Sequence, residues 1–186
     1  MIKLASVMLK DFTKLDQKEL EMVLQWRNDI RIKHFFLQKN ISLKEHLNFI
    51  EKLKNDKTKK YFLVFENSKA IGVIDFVKIN EKACEFGLYQ NPNLKGYGKV
   101  LMKFVLEYAF DTLKVQNLKA RAFKDNERAI NLYLSFNFSI EKSDEKMMYL
   151  SLNGGGALKS SHLSTLYFYS FKSSLIFHAL TQKRAS

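Results

Sequence analysis

The chain has 186 residues, enough for one domain with a full core, or one domain and a tail. Apolar residues make up 46%, and no run reaches the ~18 uninterrupted apolar residues of a membrane span, so a globular protein is expected. The single cysteine, Cys84, excludes an internal disulfide and a cysteine-based zinc site, while 31 basic against 19 acidic residues give a formal charge of +12. Residues 1–10 lack the apolar length and small-residue cleavage site of a secretory signal, so a cytoplasmic location is expected.

A first strand is expected within 6–12. Asp16-Gln17-Lys18-Glu19 then reads as a capping box, a side-chain acceptor at the helix start with a glutamate three residues on. Leu20, Val23 and Leu24 give that helix an apolar face, and it should end near Asn28 or Asp29. Residues 30–40 read as an irregular connector, able to wall a pocket or to pack over the core. Ser42-Leu43-Lys44-Glu45 is a second capping box, opening a helix to about Lys54 with Leu47, Ile50 and Leu53 inward.

Residues 61–66, 70–78 and 83–89 read as three successive antiparallel strands, with polar turns at Asn67-Ser68 and Asn80-Glu81. Cys84 lies within the third, as a small buried hydrophobe rather than a nucleophile. A glycine-containing loop leads into a helix running to about Leu113. A strand at 118–123, a helix at 126–136 and two short strands, 138–141 and 147–152, follow. From residue 153 onward the chain changes character. Gly154-Gly155-Gly156 reads as a flexible linker, and the serine- and aromatic-rich remainder has no Asp or Glu. The expected division is one domain over 1–152 and a tail over 153–186, possible origins of the tail being a non-native extension, an added strand or helix, or a membrane-surface segment.

Two segments carry chemistry. The first is Asn91-Pro92-Asn93-Leu94-Lys95-Gly96-Tyr97-Gly98-Lys99-Val100-Leu101, between a strand and a helix. Glycines let the backbone approach a ligand, the free N–H groups of a first helical turn face an anion, and Lys95 and Lys99 add charge at the same mouth. A plain helix-entry turn would have the same outline. The second is Asn126-Glu127-Arg128-Ala129-Ile130-Asn131-Leu132-Tyr133, in which Asn126, Ala129 and Tyr133 share one helix face. Either Asp125 or Asn126 can cap that helix. Alone, Tyr133 could be a core tyrosine with its hydroxyl satisfied nearby.

Together these segments resemble the GCN5-related N-acetyltransferase superfamily over about residues 1–152. Within it the chain is most similar to the acetyltransferases of pseudaminic acid biosynthesis, which acetylate a UDP-linked 4-amino sugar. Trp26-Arg27-Asn28, Ile41-Ser42-Leu43-Lys44-Glu45-His46-Leu47, Lys60-Tyr61-Phe62-Leu63-Val64-Phe65, Ile71-Gly72-Val73-Ile74-Asp75-Phe76 and Glu85-Phe86-Gly87-Leu88-Tyr89 carry that likeness. The superfamily loop usually has Gln or Arg three residues before its first glycine, where this chain has Asn93.

The resemblance implies a mixed α/β sheet, mainly antiparallel with a central parallel pair, flanked by helices. It implies acetyl-CoA as cosubstrate and no metal. Lys95, Gly96, Tyr97, Gly98 and Lys99 would hold the pyrophosphate, Asn126 would lie nearby, and the pantetheine arm would run between the strands containing Leu88 and Leu118. A backbone donor at Leu88 or Tyr89 would stabilise charge on the thioester oxygen, and Tyr133 would protonate the departing thiolate. Asp75, in its strand opposite in facing to Ile74 and Phe76, would take the amine proton directly or through water, or else be a surface or ion-paired aspartate. Glu85 is a rival acceptor. Arg27, His46, Lys78 and Tyr89 would bind the UDP-amino-sugar, though Arg27 could instead cap the carbonyls of its own helix.

The positive charge admits a nucleic-acid-binding module as a different class of function. Basic residues are scattered beside acidic ones rather than gathered in a stripe, and two polyanionic ligands partly account for the excess. A same-fold rival is a protein N-terminal acetyltransferase of the ribosomal-protein type. Oligomeric state is not legible.

Overall fold

The computed structural model describes residues 7–157. Seven strands form one sheet in the order β1-β2-β3-β4-β5-β7-β6. They are β1 (Val7–Asp11), β2 (Lys60–Glu66), β3 (Lys69–Val77), β4 (Ala83–Gln90), β5 (Asn117–Phe123), β6 (Ser139–Ser143) and β7 (Met147–Asn153). Neighbouring pairs are antiparallel except β4 with β5, the central parallel pair. The helices are α1 (Gln17–Asn28), α2 (Ile30–Lys33), α3 (Leu43–Leu53), α4 (Gly98–Glu107) and α5 (Glu127–Ser135). This is the mixed α/β architecture anticipated from the sequence.

Local chemistry sets the boundaries. Asp16 accepts the Glu19 N–H and the Glu19 carboxylate accepts the Asp16 N–H, both at 2.9 Å. Ser42 and Glu45 exchange the same two bonds at 3.2 and 2.8 Å. Each box satisfies donors a helix start leaves open, a contribution of about 1 kcal/mol. Asn67 and Ser68 both adopt positive φ, 49° and 65°, as a two-residue hairpin turn between right-twisted strands requires.

The sheet is buried on both faces at its centre. Phe62, Val64, Ile74 and Phe76 point to a core with α4 and α5, and Leu63 and Val73 to a second core with Phe12, Val23, Trp26 and Ile50. Each such side chain contributes roughly 1.5–3 kcal/mol relative to exposure. Two-sided burial explains why β2 and β3 read as near-continuous apolar runs.

Leu47, expected inward with Ile50 and Leu53, is exposed, and His46 takes the buried place on that helix turn. Three backbone features also differ from expectation. The connector after α1 contains a helical turn, α2, opened by Asp29 accepting the Arg31 N–H. The helix expected to reach Leu113 is α-helical only to Glu107; a π turn, Tyr108–Thr112, follows, with Leu113 donating to the Tyr108 carbonyl at 2.9 Å. The first glycines of the expected linker form a short helical turn, Gly154–Ala157, with the Gly154 N–H on the Gln116 carbonyl at 2.9 Å. The tail from 158 lies outside the described residues.

The parallel pair matters most for function. β4 and β5 pair only at Ala83–Asn117, Cys84–Leu118 and Glu85–Lys119. Beyond these, β4 stays with β3 as far as Gly72–Gln90, and β5 stays with β7 as far as Phe123–Met147. A wedge therefore opens from Phe86 onward. Leu118 is still paired, so the opening faces the Ala120–Phe123 stretch rather than Leu118 itself.

Candidate active site

The wedge exposes backbone donors. Asn91 donates its N–H to the Ile71 carbonyl at 2.8 Å. Alternation along an antiparallel pair then turns the Gly87 and Tyr89 N–H groups toward β3 and the Leu88 N–H away from it, into the wedge. Of the two donors considered from sequence, Leu88 is the one left open and Tyr89 is spent within the sheet.

The loop after β4 builds the adjoining wall. Gly96 adopts φ 85°, a left-handed conformation that favours glycine. No side chain caps α4, and its first internal bond runs from the Leu101 N–H to the Tyr97 carbonyl at 2.9 Å. The N–H groups of Gly98, Lys99 and Val100 are left at the positive end of the helix, beside the exposed Lys95 and Lys99. Asn93, at the position where the superfamily has Gln or Arg, accepts from Arg31 Nη2 at 3.2 Å, and Arg31 Nη1 donates to the Pro92 carbonyl at 2.8 Å. Arg31 thus ties the loop to α2 across more than sixty residues of sequence.

A cavity of about 790 Å³ fills the wedge and continues beneath the α1–α3 connector. Arg27, His46, Asp75, Leu88 and Tyr89 line it, and so do Lys95, Gly98, Asn126 and Tyr133 from the loop and α5. Gly96, Tyr97 and Lys99 belong to the adjoining loop and helix start. Lys78 is outside the lining, exposed at φ 55° just after β3, with its ammonium 2.8 Å from Glu85 Oε2.

Asp75 is half-buried, opposite in facing to the fully buried Ile74 and Phe76, and paired across strands with Tyr61 on β2 and Gly87 on β4. Burial, with the Glu85 charge adding to it and Arg121 opposing, pushes its carboxyl up to about 7. A carboxyl poised there is ionised enough to accept a proton and basic enough to hold it. Glu85 has one oxygen 2.6 Å from Arg121 Nε and the other 2.8 Å from Lys78. Both its oxygens are committed to cations, which suits a structural charge better than a base.

Asn126 is the residue that caps α5, accepting the Ala129 N–H at 3.2 Å. One face of α5 then carries Tyr133, whose buried ring meets Phe86 edge-on with centroids 5.2 Å apart. Among the described residues no hydrogen-bond partner takes its hydroxyl. Burial, with Asp75 adding to it, raises the phenol well above the ordinary range, so Tyr133 stays protonated at any working pH. Cys84 is buried in β4 and its thiol is pushed up to about 12 by burial, which leaves it inert.

At the other end of the cavity, the Arg27 guanidinium stacks 3.6 Å from the Phe36 ring centroid and donates to the Gln38 carbonyl at 2.6 Å. It does not cap its own helix. Its Nη1 is buried without a partner, as is Nε2 of His46. Burial lowers the pKa of both groups; Tyr89 and Tyr61 oppose it at Arg27, and at His46 it is opposed by the hydrogen bond the imidazole donates to the Leu20 backbone. An unanswered guanidinium donor and an unanswered imidazole nitrogen on one cavity wall are costly unless a ligand answers them. Sequence reasoning missed Phe36, Arg31 and Arg121, because their partners are set by tertiary folding and leave no local period.

Among the described residues, no three His, Cys, Asp or Glu side chains cluster closely enough to hold a metal, and no helix is long and apolar enough to cross a membrane.

The acetyltransferase (GNAT) domain model matches residues 7–139. Acetyltransferase PseH of Campylobacter jejuni subsp. jejuni serotype O:23/36 (strain 81-176) is 49% identical over 146 residues, 78% of this chain and 93% of that protein. The crystal structure of Campylobacter jejuni N-acetyltransferase PseH in complex with acetyl coenzyme A is 45% identical. It matches with a TM-score of 0.70, covering 80% of this chain and 99% of that one. A spermidine N-acetyltransferase from Vibrio cholerae, in complex with CoA and spermine, matches with a TM-score of 0.71 at 20% identity. It covers 82% of this chain and 98% of that one, a likeness of fold alone. On the family match and the identity to PseH, the chain belongs to the GNAT family of acetyltransferases and is an N-acetyltransferase.

Proposed function

We propose that the chain transfers the acetyl group of acetyl-CoA to the 4-amino group of a UDP-linked amino-dideoxy sugar, a step of pseudaminic acid biosynthesis and so of flagellin glycosylation. The observation that carries this reading is one cavity with two differently built ends. A wedge with an open Leu88 N–H and an uncapped helix start lies at one end, and the unpartnered Arg27 Nη1 and His46 Nε2 lie at the other. A cosubstrate and a nucleotide-sugar are both polyanions, and each end suits one. Likeness to PseH at 49% identity supports the same reading. We assign the chain to the cytoplasm, where an enzyme with these two ligands would work.

The residues fit acetyl-CoA: the wedge admits an extended arm, and Gly98, Lys99 and Val100 N–H groups with Lys95 receive its pyrophosphate. Bound there, it supplies an activated acyl thioester. Asp75 accepts the proton of the attacking amine, directly or through water. The Leu88 N–H donates to the carbonyl oxygen on which negative charge develops, a preplaced donor that requires no reorganisation. Tyr133 gives its proton to the departing thiolate. Arg27 binds the diphosphate of the sugar, joined by His46 when ligand binding protonates its Nε2, with Tyr89 beside them; Lys78 reaches it only if its bond to Glu85 is released.

The deciding experiment is acetyl transfer with a UDP-4-amino-sugar and with short peptides as acceptors, read as CoA release and product mass. Transfer to the sugar alone is expected. Transfer to peptide N-termini alone would replace this reading with a protein acetyltransferase.

A further inference from the structure

We infer that Gly87 is a positioning residue for acetyl transfer: its missing side chain is the space in which the Asp75 carboxylate lies over β4, beside the wedge. The inference rests on the reading of Asp75 as proton acceptor. Asp75 and Gly87 are directly opposed across β3 and β4. A Cβ placed on Gly87 would stand 2.6 Å from Asp75 Oδ2 and 3.1 Å from both its Cγ and Oδ1. No real methyl group tolerates the first distance, so the carboxylate occupies the volume any other residue would fill.

Backbone conformation does not ask for this glycine. Gly87 has no positive φ, unlike Gly96, and a strand interior is weakened by a residue with nothing to pack. Gly72 is a different case, since a Cβ there would meet the Tyr89 carbonyl oxygen and Leu101 as well. At Gly87 the three nearest atoms all belong to one aspartate.

The neighbours explain why the position matters. Glu85 and Tyr89 flank Gly87 on the same face of β4, and Tyr61 opposes Asp75 from β2. Glu85 is held by Lys78 and Arg121 and cannot swing into the gap. With Tyr61 on one side and no side chain on the other, the carboxylate leans over β4, across much of the ~4.8 Å strand spacing toward the wedge. Leaning the other way would withdraw it from the Leu88 N–H and from Tyr133.

The test is a double-mutant cycle of Gly87→Ala and Asp75→Ala, with turnover, acetyl-CoA affinity by calorimetry, and Tm measured on all four proteins. Gly87→Ala is expected to lower kcat at least about tenfold, since small misplacements of a reacting group cost up to ~10²-fold. Its acetyl-CoA affinity should hold. On the Asp75→Ala background the same change should cost no further rate, and its loss of Tm should vanish because the clash is gone. Should Gly87→Ala fail to fold alone, refolding of the double variant would report the same contact. Wild-type turnover for Gly87→Ala, or rate losses that multiply in the double variant, would overturn the inference. A wild-type rate for Asp75→Ala would instead refute Asp75 as proton acceptor, and the coupling of the two Tm losses would then decide the seating separately.

Discussion

Replacing Tyr133 with Phe deletes one oxygen and leaves the packing in place. The ring is 5% exposed and meets Phe86 and Phe138 at centroid distances of 5.2 and 6.0 Å, contacts that phenylalanine keeps. No described group is left unpaired by loss of the hydroxyl, so the stability cost should be roughly 1 kcal/mol or less. If Tyr133 protonates the thiolate, the loss of a positioned donor should lower turnover by about 10²–10⁴-fold, or about 2.7–5.4 kcal/mol at 1.36 kcal/mol per decade. Single-turnover transfer to the UDP-amino-sugar, beside a CoA titration on the same variant, separates the two effects. A fall of less than about tenfold, with binding unchanged and chemistry rate-limiting, would make Tyr133 a packing residue.

Asp75→Asn should abolish the acidic limb of kcat/KM, which in the parent enzyme should fall as pH drops through about 7. The groups facing that carboxyl are Tyr61, Glu85, Tyr89, Arg121 and Tyr133; a limb that survives in Asp75→Asn would show that Asp75 is not the group whose ionisation sets it. The same variant bears on stability. The folded pKa is raised, so Asp75 favours folding at low pH and that contribution is lost as pH rises through about 7. Asp75→Asn should therefore show a higher Tm than the parent at pH 8 but not at pH 4; equal shifts at both would argue against a raised pKa. Gly98→Val should weaken CoA binding sharply in calorimetry, because its Cβ lies 3.3 Å from Leu132 Cδ2 and its branches must displace that contact at the helix start. Truncation after Ala157 should leave Tm and activity intact, since alignment with nearly all of a PseH chain, 97%, uses only 79% of this one; a large loss of Tm would place the tail within the domain.

Fold legibility followed the strength of local rules. The two capping boxes and the Asn67-Ser68 turn are chemistry contained within four residues, and each stands where the sequence puts it. The α2 turn was missed because four residues, Ile-Arg-Ile-Lys, complete only one helical period. Its start depends on the Asp29 side chain reaching the Arg31 N–H. The π turn was missed for a different reason: Tyr108–Thr112 has the composition of any helix end, and only the register of its bonds changes. The glycine loop was legible as a motif, but its brace was not. Arg31 reaches Pro92 and Asn93 through the fold, and nothing near residue 31 signals that bond.

The candidate site shows the same division one level up. Strand alternation alone placed Asp75 opposite Ile74 and Phe76, and that part of the reading needed no partner strand. Whether its carboxyl is a base depends on what faces it across β2, β4 and β5, which a single strand cannot specify. Glu85 illustrates the point. In sequence it competes with Asp75 as a carboxylate on the same sheet face, yet its two cation partners come from the end of β3 and from β5. Those partners leave Asp75 as the carboxylate without a counterion of its own, while the Glu85 charge still raises its pKa. Two carboxylates of similar sequence context thus acquire different chemistry from the order β3-β4-β5, and the residue between them, Gly87, has its role only in that order.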